Sequence, residues 1–161
     1  MAVAELLVAR RAGVNLQNQE GWTPLHEAAR ESNGTLAEFL LRHGADPNIV
    51  DKTGQTPAAI AMGERHREVV ELLVNAGSPV TIHLASWLGR HERVKGLIES
   101  GVDVNARDRF DRTPLYLAAG MGHAEVAALL FDSGADVNAR AYVLGYTPLR
   151  SCAIDPGAAL R

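Results

Sequence analysis

Six histidines, a single cysteine and nineteen carboxylates are the side chains here that could carry chemistry, as metal ligands, proton carriers or a nucleophile. Their spacing speaks against all three roles. His43, His66 and His91 are scattered along the chain, and none forms the spacing of a known metal motif with another His, a Cys or a carboxylate. The short-range pairs Glu64 with His66 and His91 with Glu92 arise readily by chance in a chain that is 22% charged. Cys152 would need a histidine base and an orienting partner to act as a nucleophile, and its surroundings supply neither. No G-x-S-x-G, no P-loop and no GxGxxG following a strand is present. No catalytic residue, metal site or cofactor is expected.

What the chain does carry is a repeated architectural unit, most complete in TPLYLAAGMGHAEVAALLFDSGADVN, residues 113–138. Thr113 can cap a helix through its hydroxyl, and Pro114 suits the first helical position, where no intrahelical donor is needed. Leu115, Leu117, Ala118 and Ala119 give a short apolar helix with two small residues for close approach, closed near Gly122. A second helix starts at His123, with Val126, Leu129 and Leu130 at i, i+3 and i+4 as one apolar stripe. Gly134 ends it, because a helix C-terminus favours a residue that tolerates positive φ.

The unit recurs. Thr-Pro falls at 23–24, 56–57, 113–114 and 147–148, with Val80-Thr81 as a degenerate fifth, so second positions step by 33, 24, 33 and 34. Leu7, Leu40, Leu73, Leu97 and Leu130 of the second helices step by 33, 33, 24 and 33. Two independent markers thus share one period and one irregularity. With TPLHEAA at 23–29, TPLYLAA at 113–119, GADPN at 44–48, GVDVN at 101–105 and GADVN at 134–138, the sequence resembles the ankyrin repeat family over almost its whole length.

That resemblance implies an all-α solenoid of helix-turn-helix units with short β-hairpin fingers. As a single repeat domain, residues 1–161 divide into a partial unit 1–20, units 21–53, 54–79, 80–110 and 111–144, and a partial unit 145–161. One finger, near 77–81, is deleted. His26 and His83 take the TPLH position and His123 the Gly-His position, where the imidazole is structural. Asn105 and Asn138 resemble an asparagine hydroxylated in some ankyrin proteins, although side-chain bonds that pin the hairpin explain them without modification. Gly96, inside a second helix, marks either close packing or weakness. Cys152 matches an interior alanine and is expected to be a small buried thiol.

The net charge of −3 does not favour nucleic acid, and no apolar stretch is long enough to span a membrane or act as a convincing signal peptide. The lone cysteine fits a reducing compartment, so a cytoplasmic protein is expected. Arg11 replaces the helix-ending glycine of the first partial unit, and Val3, Leu6 and Leu7 leave an apolar face open at that end. The chain is therefore expected to be a monomer or to associate end to end through its uncapped terminal units.

Partners of ankyrin folds dock on the concave side made by fingers and first helices. The resemblance places Trp22, Arg30 and Glu31 there in the first full unit, and Trp87 and Leu88 in the third. In the last two units it places Arg107, Arg109, Phe110, Arg112, Met121, Arg140, Tyr142 and Tyr146. Large aromatics and Arg dominate interface energetics, which favours a recognition face on these residues. The reading is a non-enzymatic protein-interaction module. Its partner should carry an acidic region opposite Arg107, Arg109, Arg112 and Arg140 and an apolar group near Trp87. The competing readings are an architectural or regulatory segment of a longer multidomain ankyrin protein, and a ligand site near the missing finger lined by His83, Trp87 and His91.

Overall fold

A computed structural model describes residues 2–141 and 145–153. Among them are ten helices and no strand: α1 (Ala2–Ala9), α2 (Pro24–Arg30), α3 (Gly34–Arg42), α4 (Pro57–Gly63), α5 (Arg67–Asn75), α6 (Ile82–Leu88), α7 (His91–Glu99), α8 (Pro114–Gly120), α9 (Ala124–Asp132) and α10 (Pro148–Cys152). The fold is an all-α repeat of helix pairs. It forms two compact units, Met1–Pro79 and Val80–Arg161, and the boundary falls where the sequence lacks a finger.

First helices begin as the sequence requires. Thr56, Thr81 and Thr113 accept through their hydroxyls from the N–H of Ala59, Leu84 and Tyr116, and Pro24, Pro57, Pro114 and Pro148 stand at the first helical positions. Each helix from α1 to α9 stops at a left-handed residue whose successor donates back to a carbonyl one turn earlier, which satisfies carbonyls that would otherwise be orphaned. Ser32 (φ 53°) and Arg65 (φ 64°) do this after α2 and α4, and glycines do it after most others. Arg11 (φ 65°) does it after α1, in the glycine's place as anticipated.

In the first unit α2 packs on α3 and α4, α4 on α5, and α3 on α5. Leu25, Ala28, Ala29, Leu40, Ala58, Ala61, Val69, Val70 and Leu73 are buried there, and the alanines let the first helices approach closely. In the second unit α8 lies between α6 and α10, and α7 packs on α9. Its core gathers Ile82, Ala85, Val94, Leu115, Ala118, Val126 and Leu130. The leucine stripe of the sequence is thus distributed along the repeats, not collected at one centre.

The third repeat corrects the register read from sequence. Thr81 is itself the cap and Ile82 the first helical residue, so Val80-Thr81 is not the Thr-Pro pair. First helical positions are 24, 57, 82, 114 and 148, giving steps of 33, 25, 32 and 34. Only Gly89 and Arg90 separate α6 from α7, whereas Glu31, Ser32 and Asn33 separate α2 from α3. Eight residues are missing from the finger and one from the turn between the helices.

Candidate protein-interaction face

Three finger tips are each built around one Asx side chain. Asn18 accepts through Oδ1 from Glu20 and Trp22 N–H, Asp51 from Thr53 and Gln55 N–H, and Asp108 from Phe110 and Arg112 N–H, all at 2.8–2.9 Å. Gly21, Gly54 and Asp111 turn the chain with positive φ, and Asp is among the few side chains that tolerate it. The tip closes with backbone bonds such as Asp51 N–H to Gln55 O and Asp108 N–H to Arg112 O. These turns take the place of the expected β-hairpins; among the described residues no strand forms.

Fingers are joined within each unit by side chains. Gln17 donates to Gly21 O and to Val50 O, and Arg107 donates to Asp111 O and Arg140 O at 3.0 and 2.9 Å. Asn15 donates to Gly44 O and accepts from Asp46 N–H; Asn105 does the same with Gly134 and Asp136. So Asn105 ties its finger to the end of the next second helix, and the turn of its own hairpin is pinned instead by Asp103, which accepts from Asn105 N–H.

Histidines complete the ties. Thr23 N–H donates to His26 Nδ1, which fixes the ring proton on Nε2, and Nε2–H donates to Gln55 O at 3.1 Å. Burial holds His26 below the ordinary imidazole value, against the opposing pull of the Gln55 carbonyl and of Asp51 and Glu27. His83 is also held low by burial, and its Nε2 contacts Ala106 O at 2.9 Å. It stands one place earlier in its helix than His26 and does not reach back to its cap. His66 reaches Ala29 O and His123 reaches Trp87 O, both at 3.0 Å. For Asp51, burial would raise the carboxyl, but the N–H groups of Gln55 and Thr53, the Thr53 hydroxyl and the Trp22 indole outweigh it and hold the group low.

Against this framework the expected face residues separate. Trp22 is half-buried; its indole donates to Asp51 Oδ2 at 3.1 Å, its ring stacks on His26, and the Arg30 guanidinium lies 5.4 Å from its centroid. Arg30 also pairs with Glu27 and Glu31. Arg112 donates from Nε to Asp108 Oδ2 at 2.7 Å, and Arg107 pairs with Asp111 at 3.0 Å. Phe110 is half-buried with two guanidiniums on it, Arg109 at 4.3 Å and Arg112 at 4.6 Å from its centroid. Met121 is half-buried and Arg140 is exposed. Tyr146 is half-buried beneath the Arg150 guanidinium, 4.3 Å from its centroid. Tyr142 lies outside the described residues.

Trp87 and Leu88 depart from expectation, being buried at 2% and 5% exposure. Counted from its Thr81 cap, Trp87 takes the position of the buried Ala29 in α2 and Met62 in α4, so the ring turns inward. Of the residues expected to line a ligand site near the missing finger, Trp87 is thus buried, while His83 bonds Ala106 O and His91 bonds Glu92. Cys152 is exposed, not buried. The second helix that covers Ala28 and Ala118 in earlier repeats has no counterpart after α10 among the described residues. Arg150 and Asp51 are partners that the sequence reading does not single out, although the recurrence of Asn18, Asp51 and Asp108 at steps of 33 and 57 marks the tip.

Among the described residues no group of three or more His, Cys, Asp or Glu could hold a metal ion, and no helix is long and apolar enough to cross a membrane. The family model described as ankyrin repeats (3 copies) matches residues 1–82 and again 82–158. No curated protein matches the chain.

Proposed function

The chain belongs to the ankyrin repeat family, whose repeats are generally protein–protein interaction modules and typically non-enzymatic, and on that premise we propose that it binds another protein through its finger tips and first helices. In the second unit the proposed contacts are Arg109 and Phe110, together with Met121, Arg140 and Tyr146. In the first unit they are Trp22, Arg30 and Glu31. Trp87 and Leu88, being buried, drop out as surface anchors. We place the protein in the cytoplasm, where a lone exposed thiol stays reduced.

The observation that supports this most is Phe110 with Arg109 and Arg112 stacked on it at a finger tip. Stacking holds the guanidinium planes in place before a partner arrives, which lowers the ordering cost of binding. Arg107 and Arg112 pair with Asp111 and Asp108, and together with Arg109 and Arg140 they form the basic cluster proposed to face an acidic region of the partner. The test is affinity capture from the source cell with the whole chain, using Arg109→Ala and Phe110→Ala as controls. Each should weaken a captured partner by more than ~1 kcal/mol while leaving the melting curve nearly unchanged. Unaltered affinity in both variants would dismiss this face.

A further inference from the structure

Two adjoining residues at the start of α3 break the repeat pattern where the fold does not ask for it. Asn33 and Gly34 stand at the cap and first position of this second helix; the same places hold His66 and Arg67 in α5, Arg90 and His91 in α7, and His123 and Ala124 in α9. His66 and His123 reach back to Ala29 O and Trp87 O of the preceding first helix, whereas the Asn33 amide turns to its own helix and accepts from Leu36 N–H at 3.0 Å. Gly34 is helical, has no positive φ, and a Cβ there would meet nothing within 4 Å. Unlike the glycines at left-handed turns, it answers no backbone or packing demand.

An asparagine followed by glycine has a chemistry of its own. The main-chain nitrogen of the second residue can attack the side-chain carbonyl carbon of the first, and a Cβ on the second residue is the chief obstacle. Asn33 alone among the asparagines precedes glycine; Asn15, Asn18, Asn48, Asn75, Asn105 and Asn138 all precede residues with a side chain. Asn33 is exposed to water. As the first helical residue, Gly34 has an N–H outside the helical ladder, and it spans only the turn, to Ser32 O at 3.1 Å. No bond of the ladder has to break for this nitrogen to react; the Asn33 bond to Leu36 is the one that must open.

We propose that Asn33 is a modification site that reacts without an enzyme, by deamidation. Gly34 N gives its proton to a solvent base and attacks Asn33 Cγ; the Cγ–Nδ2 bond breaks, ammonia leaves with a proton from solvent, and a cyclic imide joins the two residues. Water then opens the ring. Entry at Cγ restores the main chain and leaves aspartate, while entry at the main-chain carbonyl of residue 33 leaves isoaspartate, in which the chain runs through the former side chain. One water is consumed, one ammonia is released, and nothing is oxidised or reduced. The two products act on α3 in opposite directions. Aspartate keeps an acceptor for Leu36 N–H and sets a negative charge at the positive end of the helix. Isoaspartate adds a carbon to the main chain at the cap and draws the carboxylate away from Leu36 N–H.

The test follows the whole chain during incubation at neutral and mildly alkaline pH. Digestion and mass spectrometry locate each converted amide, and methyl transfer from S-adenosylmethionine by a purified isoaspartyl methyltransferase counts isoaspartate. Conversion should concentrate at Asn33, rise with pH as the attacking nitrogen sheds its proton more readily, and give both products. Gly34→Ala, which the open space admits, should bring residue 33 down to the rate of the other asparagines while the urea midpoint stays level or rises. Asn33→Ser keeps a capping side chain and should remove most of the methyl acceptance. Once separated, the isoaspartyl product should unfold at a lower urea midpoint than Asn33→Asp. Conversion at Asn33 no faster than at the other asparagines, Gly34→Ala that converts as fast as the wild type, or methyl acceptance unchanged in Asn33→Ser would each overturn the proposal, and equal midpoints would overturn the opposed effects on α3.

Discussion

Replacing Gly89 by alanine should damage the second unit more than replacing Gly122, although both glycines occupy the same left-handed turn between paired helices, at φ 75° and 73°. The backbone contribution is common to both: an L-residue there costs about 1–2 kcal/mol, offset by roughly 0.4–1 kcal/mol of lost freedom in the unfolded chain. A Cβ on Gly122 would meet nothing within 4 Å, so Gly122→Ala should lose about 0.5–1 kcal/mol. A Cβ on Gly89 would lie 2.6 Å from His123 Nδ1, 2.7 Å from Cε1 and 2.9 Å from Cγ. The imidazole must swing away, breaking its 3.0 Å bond to Trp87 O, which adds about 1–2 kcal/mol. Urea unfolding read at the midpoint, with slopes compared to confirm that the same surface is exposed, measures the difference. Equal midpoints for the two variants would refute the reasoning, since the backbone alone would then explain both.

Acid should weaken the fold in two stages. His26 and His83 sit below the unfolded imidazole value near 6.5, so the unfolded chain binds protons first; their stabilisation is complete above about pH 6.5 and is lost as pH falls toward their folded values. Asp51, held low, adds a further loss below about pH 4, and a urea midpoint that rose between pH 7 and 5 would contradict the histidine assignment. Asn105→Ala should cost about 1–2 kcal/mol by removing the bonds to Gly134 O and Asp136 N–H, measured as a drop in urea midpoint. Gly96→Ala should instead stabilise by about 1 kcal/mol: Gly96 is helical and exposed, with nothing within 4 Å of a Cβ, so the reading of it as a close-packing residue gives way to simple weakness.

What the sequence made legible is whatever repeats. Helix pairs, threonine caps, N-terminal prolines and left-handed helix ends recur with the period, and so each was read several times over. What it hid is where the period fails. Moving the cap from Val80 to Thr81 is a one-residue matter, yet a residue on a helix turns the next by about 100°, enough to carry Trp87 from surface to interior. The second limit is chemical. Residue type sets Arg107, Arg109, Arg112 and Arg140 beside Asp108 and Asp111 but does not reveal the pairing, in which Asp111, four residues on, answers Arg107 and Asp108, four residues back, answers Arg112. The buried place expected for Cys152 was inferred from Ala28 and Ala118, whose burial comes from helices that α10 lacks among the described residues.

The tip geometry divides each finger into positions that must be kept and positions that are free to vary. Counting from the Asx, the second and fourth N–H groups are bound to its carboxylate or amide oxygen, and the third residue must turn left-handed. The side chain four on is enlisted in bonding, as Trp22 to Asp51 and Arg112 to Asp108 show, and so is the one just before, as Gln17 and Arg107 show. The side chains one and two places on are Gln19 and Glu20, Lys52 and Thr53, Arg109 and Phe110; of these the Thr53 hydroxyl binds the Asx, and Arg109 and Phe110 stack on each other. Substituting Arg107 or Arg112 should therefore alter stability together with any binding, whereas the exposed Gln19 and Lys52 should leave stability unchanged. A variant of Lys52 that melts as early as one of Arg107 would show that the division does not hold.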